Sequence, residues 1–202
     1  MPVRRLKGAG GESGDELVSQ ELIDRCKSGD EEAWKELVAA THQEVFTLCL
    51  RILNNRDDAA EATQDVYLKV WRSLRGFRGE AQFTTWLYRV AANTAISKQR
   101  SRTRRRSHES EVDDEMLAAM PAGISVEQQA GARVEVHAVE KALGSLPELY
   151  RSAIVLRDVY GYSVEEVARH LGISETAAKV RVHRARKKLK EMVYGGQPNE
   201  MH

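Results

Sequence analysis

Apolar positions recur three and four residues apart over most of the chain, and no segment shows the two-residue alternation of a strand. The first helical pattern begins at Glu16 and carries Leu17, Leu22, Ile23 and Cys26. Ser28-Gly29-Asp30 interrupts it. Asp30 suits the cap of a second helix, because its carboxylate can accept from amides that the first turn leaves unpaired. That helix carries Ala33, Trp34, Leu37, Val38, Val45, Leu48, Cys49, Ile52 and Leu53. Asn54-Asn55-Arg56 breaks the period, with Asp57 or Asp58 as the expected next cap. The third stripe is Ala59, Ala62, Val66, Val70 and Leu74, joined by Tyr67 and Trp71. Two glycines within five positions make residues 75–82 a loop. A fourth helix follows through Phe83, Trp86, Leu87, Val90, Ala91 and Thr94.

The period is then lost. Residues 101–134 begin basic, turn acidic and pass through Pro121-Ala122-Gly123, which reads as a flexible linker. Helical spacing returns with Val136, Val139, Leu143 and Leu146, ended by Pro147. A second stripe, Tyr150, Ile154, Val155, Leu156 and Val159, closes at Gly161. The expected architecture is all-α: two small helical domains, 16–100 and 135–193, joined by the 101–134 linker and flanked by tails at 1–15 and 194–202.

Composition changes this picture little. The 202 residues are 42% hydrophobic, enough for two small cores. No apolar run approaches the roughly 20 residues of a membrane span, and no apolar segment follows the basic N-terminus as in a secretory signal. Cys26 and Cys49 form no CxxC pair and read as reduced core thiols of a cytoplasmic protein. His42, His137 and His170 are scattered, so no metal site is expected, and nothing calls for a cofactor.

Charge changes it more. The formal net charge of +1 argues against a nucleic-acid binder, yet the charges fall in blocks. Residues 97–107 hold six basic side chains and no acidic one; residues 179–190 hold seven and none. Between them, residues 108–140 carry eight acidic and one basic. The near-neutral total is a cancellation between segments.

The last block belongs to the most informative motif. Ser163-Val-Glu-Glu166 is a capping box before a short helix with Val164, Val167, Ala168 and Leu171 facing inward. Gly172 suits a left-handed stop, Ile173 packs inward, and Ser174 caps the next helix. A short helix, a Gly-containing tight turn and a second helix rich in Lys and Arg make a helix-turn-helix. Such a concentration of cations would repel itself unless it faced a polyanion. A stand-alone dimeric helix-turn-helix regulator is one reading. A DNA-cutting or recombining enzyme is another, but it needs a nucleophile constellation or clustered metal carboxylates. The carboxylates at Asp57, Asp58, Glu61 and Asp65 lie on one long amphipathic helix and read as a docking face.

The first domain narrows the choice. Asp58-Ala-Ala-Glu-Ala-Thr-Gln-Asp-Val-Tyr-Leu-Lys-Val-Trp71, followed by Phe77-Arg-Gly-Glu-Ala-Gln-Phe-Thr-Thr-Trp-Leu-Tyr-Arg-Val-Ala-Ala-Asn93, resembles domain 2 of bacterial extracytoplasmic-function (ECF) sigma factors, of the sigma-70 family. Residues 136–193 resemble their domain 4. The resemblance implies a transcription initiation factor, not an enzyme, whose partners are RNA polymerase core, promoter DNA and an anti-sigma factor. It implies docking on the clamp coiled coil of the largest core subunit through Asp58, Glu61, Gln64 and Asp65, and a domain 4 contact with the flap of the second-largest. It places the −10 element against Gly76, Phe77, Arg78, Gly79, Thr85, Trp86, Arg89, Asn93 and Arg100, with one base flipped into the loop. Trp86 fits core packing as well as stacking, and Arg100 to Arg106 would continue the phosphate track. It places the −35 element against Ser174, Thr176, Lys179, Arg181, His183, Arg184, Arg186 and Lys187. Here the chain departs from the family: Thr176-Ala-Ala-Lys-Val-Arg181 stands where many members have Gly-Thr-Val-Lys-Ser-Arg, so Val180 offers a methyl contact in place of a hydrogen bond. Fully extended, the 34-residue linker spans about 110 Å, several helical turns of DNA. In the family it threads the active-site cleft, where the carboxylates of residues 109–115 would occupy a channel built for RNA.

Overall fold

The computed structural model describes residues 18–107 and 132–194, and all regular structure among them is helical. The elements are α1 (Gln20–Ser28), α2 (Glu31–Leu53), α3 (Arg56–Ser73), a single 3-10 turn (Leu74–Gly76), α4 (Phe83–Ser107), α5 (Ala132–Ser145), α6 (Glu148–Ile154), α7 (Val164–Leu171) and α8 (Glu175–Tyr194).

Local chemistry sets the helix ends. Ser19 Oγ accepts from Leu22 N, and Asp30 Oδ1 accepts from both Glu32 N and Ala33 N. The α3 cap is not Asp57 or Asp58. Asn55 takes that place, its Oδ1 accepting from Asp58 N at 2.8 Å, because Asn54 before it turns left-handed (φ 51°) and aims Asn55 at the helix start. The two aspartates then lie in the first turn, where the helix dipole favours anions.

In the first half, α2, α3 and α4 pack side by side and α1 covers the start of α2. Leu37, Val45, Leu48, Ile52, Val66, Val70 and Leu87 are fully buried between them. Each such side chain contributes about 1.5–3 kcal/mol by leaving water. In the second half, α6 and α7 pack on α8 through Ala153, Val167, Ala178, Val182 and Ala185. The last turn of α6 widens over Val155–Val159, with Tyr160 N bonding to Val155 O five residues back.

Two boundaries differ from the sequence reading. The basic stretch 101–107 continues α4 and is not linker, and α5 begins at Ala132, inside the expected linker. Arg102 and Thr103 both bond Glu148, which gives the extra turns of α4 something to pack against. The acidic carboxylates of 109–115 and both tails lie outside the described residues.

The halves also touch. Arg151, 4% exposed, donates to Ile52 O at the end of α2 and to Gly144 O and Leu146 O of its own half. Ser152 Oγ donates to Gln99 Oε1 at 2.8 Å, and Asn54 Nδ2 donates to Gly144 O at 2.9 Å.

Candidate nucleic-acid interface

On α3, residues 58, 61 and 65 share one face, as helical spacing requires. Gln64 and Asp65 are exposed, but two of the four expected docking residues are already engaged. Lys98 Nζ lies 2.6 Å from Glu61 Oε2, and Arg102 Nη1 lies 2.9 Å from Asp58 Oδ2. The same face carries two apolar side chains that the sequence reading did not assign to it. Leu68 is 54% exposed. Trp71, expected in the core stripe, is 47% exposed and stands edge-on to Trp34 at 4.8 Å. The signal was present in the spacing: residues 64, 68 and 71 form a stripe turned away from Ala62, Val66 and Val70.

The loop 76–82 is open to solvent apart from half-buried Phe77. Gly79 adopts φ +75°, a conformation that an L side chain enters only with strain, whereas Gly76 neither has a positive φ nor is crowded. Phe77 and Trp86, both named as −10 residues, pack with Phe83 in an aromatic trio with centroids 5.3–5.7 Å apart. Lys27 sits 5.5 Å over the Phe77 ring. The trio therefore anchors the loop to α4 and leaves Arg78 and Gly79 at its tip. Thr85, Arg89, Asn93 and Arg100 follow along one exposed face of α4.

The far half of that face is not open. Arg89 Nη2 lies 2.9 Å from Glu166 Oε1, His170 Nδ1 lies 2.5 Å from Asn93 Oδ1, and Arg100 Nη2 donates to His170 O at 2.9 Å. The Arg100 guanidinium occupies the space where a Cβ on Gly172 would sit, 2.7 Å away. A cleft of about 400 Å3 separates the helices here, lined by Arg89, Asn93 and Arg100 from α4 and Glu166, Arg169 and His170 from α7. Burial, which disfavours the charged ring, holds the His170 imidazole below its ordinary value. Glu166 is held below the usual carboxylate range, chiefly by the Ser163 amide of the capping box.

On α8, Thr176, Lys179, Val180, His183, Arg184 and Lys187 are exposed and Arg181 is half-buried. Two expected −35 residues have other work. Ser174 Oγ accepts from Ala177 N as the helix cap, and Arg186 forms a two-pronged bond to Asp158 that fixes α8 on the widened last turn of α6. Among the described residues, no group of three or more His, Cys, Asp or Glu side chains could hold a metal, and no helix is long and apolar enough to cross a membrane.

Comparison with known proteins matches residues 37–105 to Sigma-70 region 2 and residues 137–189 to Sigma-70, region 4. The chain is 33% identical over 173 residues to the RNA polymerase sigma-H factor of Pseudomonas aeruginosa, covering 83% of this chain and 89% of that protein. It is 30% identical over 185 residues to the ECF RNA polymerase sigma-E factor of Escherichia coli K12, covering 89% and 96%. Its fold is shared with CnrH, solved in complex with the cytosolic domain of CnrY (TM-score 0.52, 25% identity, 88% of this chain and 97% of that one). It is shared as well with the sigma factor RpoE of Bartonella quintana, solved with the anti-sigma factor NepR (TM-score 0.54, 22% identity, 81% and 98%). The stand-alone regulator reading finds no support in these matches, and the order of the two regions is the one the sequence motifs implied. The chain belongs to the extracytoplasmic-function sigma factors of the sigma-70 family and is a promoter-specific initiation factor for RNA polymerase.

Proposed function

We propose a division of labour among three surfaces. The α3 strip of Asp58, Glu61, Gln64 and Asp65, with Leu68 and Trp71 at its apolar centre, docks on the clamp coiled coil of the largest core subunit. Arg78, Gly79, Thr85, Arg89, Asn93 and Arg100 take the melted −10 strand, with Phe77 and Trp86 as the platform beneath the loop. Thr176, Lys179, Val180, Arg181, His183, Arg184 and Lys187 enter the −35 major groove, while domain 4 rests on the flap of the second-largest subunit. The reaction takes place in the cytoplasm, where core polymerase is, and an anti-sigma protein, implied by the family, would hold the factor inactive.

The observation that carries this reading is the exposed strip on α3. A solvated helix face has no reason to present Leu68 and Trp71 beside carboxylates, whereas a protein interface combines an apolar centre with a polar rim. Run-off transcription with purified core on genomic fragments, paired with gel shifts with and without core, tests it. The expected result is promoter-specific transcripts and a shift that requires core. Leu68→Glu should abolish both while leaving helical content unchanged. Sequence-specific shifts without core would overturn the reading.

A further inference from the structure

The exposed face of α8 carries one side chain that phosphate contact does not explain. The basic face of α4 meets the seam between the two halves, whereas Thr176, Lys179, Val180, His183, Arg184 and Lys187 line an open stripe opposite buried Ala178, Val182 and Ala185. Val180 stands in the middle of that stripe and is 42% exposed. Lysine and arginine reach phosphates and guanine edges, but an isopropyl group donates and accepts nothing. Its surroundings differ from those of Leu68 and Trp71. Those two share one helix face, as at the apolar centre of a protein interface, while the other exposed large apolar side chain of α8, Tyr194, is at the far end of the helix. Val180 is thus an isolated apolar group set among Lys179, Arg181 and Arg184, which suits the floor of a groove walled by phosphates. The fold also holds it still. A β-branched side chain has essentially one rotamer in a helix, and α8 is pinned at its start by the Ser174 cap and further along by the Arg186–Asp158 bond.

We propose that Val180 selects the −35 element by the C5-methyl group of a thymine. This rests on the placement of α8 in the −35 groove proposed above, and adds what one residue reads there. In the major groove, guanine, adenine and the cytosine amino group present donors and acceptors, and thymine adds the one methyl group. Val180 against that methyl buries apolar surface on both sides. Val180 against a polar edge strips water from a donor or acceptor and returns no hydrogen bond. Discrimination therefore has two sources, a gain at thymine and a penalty elsewhere. Thr176, one turn earlier on the same face, offers a methyl and a hydroxyl together, so the base pair it meets is less restricted. Contact with a methyl releases no counterion, so it changes affinity without changing the salt slope, unlike the contacts of Lys179 and Arg184.

Deoxyuridine, which is thymidine without the methyl group, tests this directly. Holoenzyme is assembled with core, and the −35 region of the promoter giving the strongest run-off transcript is synthesised with each thymine of either strand replaced in turn. At one position the replacement should weaken holoenzyme binding by about three- to tenfold, with the salt slope unchanged. Val180→Ser changes an exposed site and should leave the melting temperature where it was. With that variant the same replacement should cost less than about twofold, because the methyl has lost its partner. At the same position 5-methylcytosine should bind more tightly than cytosine to the unmodified holoenzyme and no more tightly to Val180→Ser. A −35 region with no methyl-sensitive thymine, or with one equally sensitive in Val180→Ser, would overturn the role of Val180. Lys179→Ala with Arg184→Ala separates that result from failure of the −35 placement. If this pair weakens promoter binding while no methyl matters, the Val180 reading alone falls. If the pair leaves promoter binding unchanged, α8 does not lie in the groove and both readings fall.

Discussion

The two surfaces proposed to face DNA carry similar charge in the sequence and opposite circumstances in the fold. On α8, Lys179, His183, Arg184 and Lys187 are exposed and make no ion pair among the described residues. On α4, Arg89, Arg100 and Arg102 are each held by the other half of the chain, through Glu166, the His170 carbonyl and Glu148. A cation's presence on a helix shows what the helix can bind; its partners in the fold show whether binding requires a rearrangement first. The surface proposed for the −35 element is open, whereas on the one proposed for the −10 strand Arg89 already holds a carboxylate and Arg100 a carbonyl.

The largest test of this contrast removes the ready surface. Lys179→Ala with Arg184→Ala should weaken holoenzyme binding to a −35-containing promoter by about 30–100-fold and flatten its salt dependence, with core affinity unchanged. Filter binding across a salt series measures both. Next, Arg151→Met leaves the carbonyls of Ile52, Gly144 and Leu146 without their donor. It should cost about 2–4 kcal/mol of stability by denaturant unfolding, because buried acceptors lose their partner on both sides of the seam. Removing only the Arg89–Glu166 pair is milder. Glu166→Gln should change stability by less than about 1 kcal/mol, since the pair it breaks is partly exposed, yet raise affinity for a −10 single strand severalfold. Glu166→Ala adds the loss of the capping box and should lower the melting temperature where Glu166→Gln does not.

The smallest effect is a pH dependence. His170 sits among Asn93, Arg89 and Arg100 of α4, Glu166 and Arg169 of α7, and Tyr162, and the seam favours its neutral form. The seam should therefore be at full strength above the ordinary imidazole range, near 6.5, and weaken as pH falls through it. The midpoint of denaturant unfolding should decline modestly between pH 7.5 and 5.5, and His170→Gln should reduce that decline.

Much of this was legible in the residues. Apolar spacing located α1 to α7, the Ser174 cap and the run of cations located α8, Ser163 and Glu166 announced their capping box, and Gly172 its left-handed turn at φ +61°. The tip of the loop between α3 and α4 was marked by Gly79. What misled was proximity along the helix. Trp71 reads as core because it follows Val70, but the next residue on a helix points about 100° away, and the ring lies on the surface. Arg102 and Arg186 read as phosphate contacts by their neighbours' charge and are turned to Asp58, Glu148 and Asp158 instead.

The sequence by itself determined the helices, their order, the two domains and the family, because these follow from local periodicity, capping and motifs within one stretch of chain. Only the tertiary structure decided which charges are available. Glu166 lies 77 positions from Arg89 and Glu148 lies 46 from Arg102, and their pairing depends on how one domain rests on the other. A helix's own sequence repeats every few residues and holds no record of a partner so far along the chain. Availability of a binding surface is a property of that distant contact.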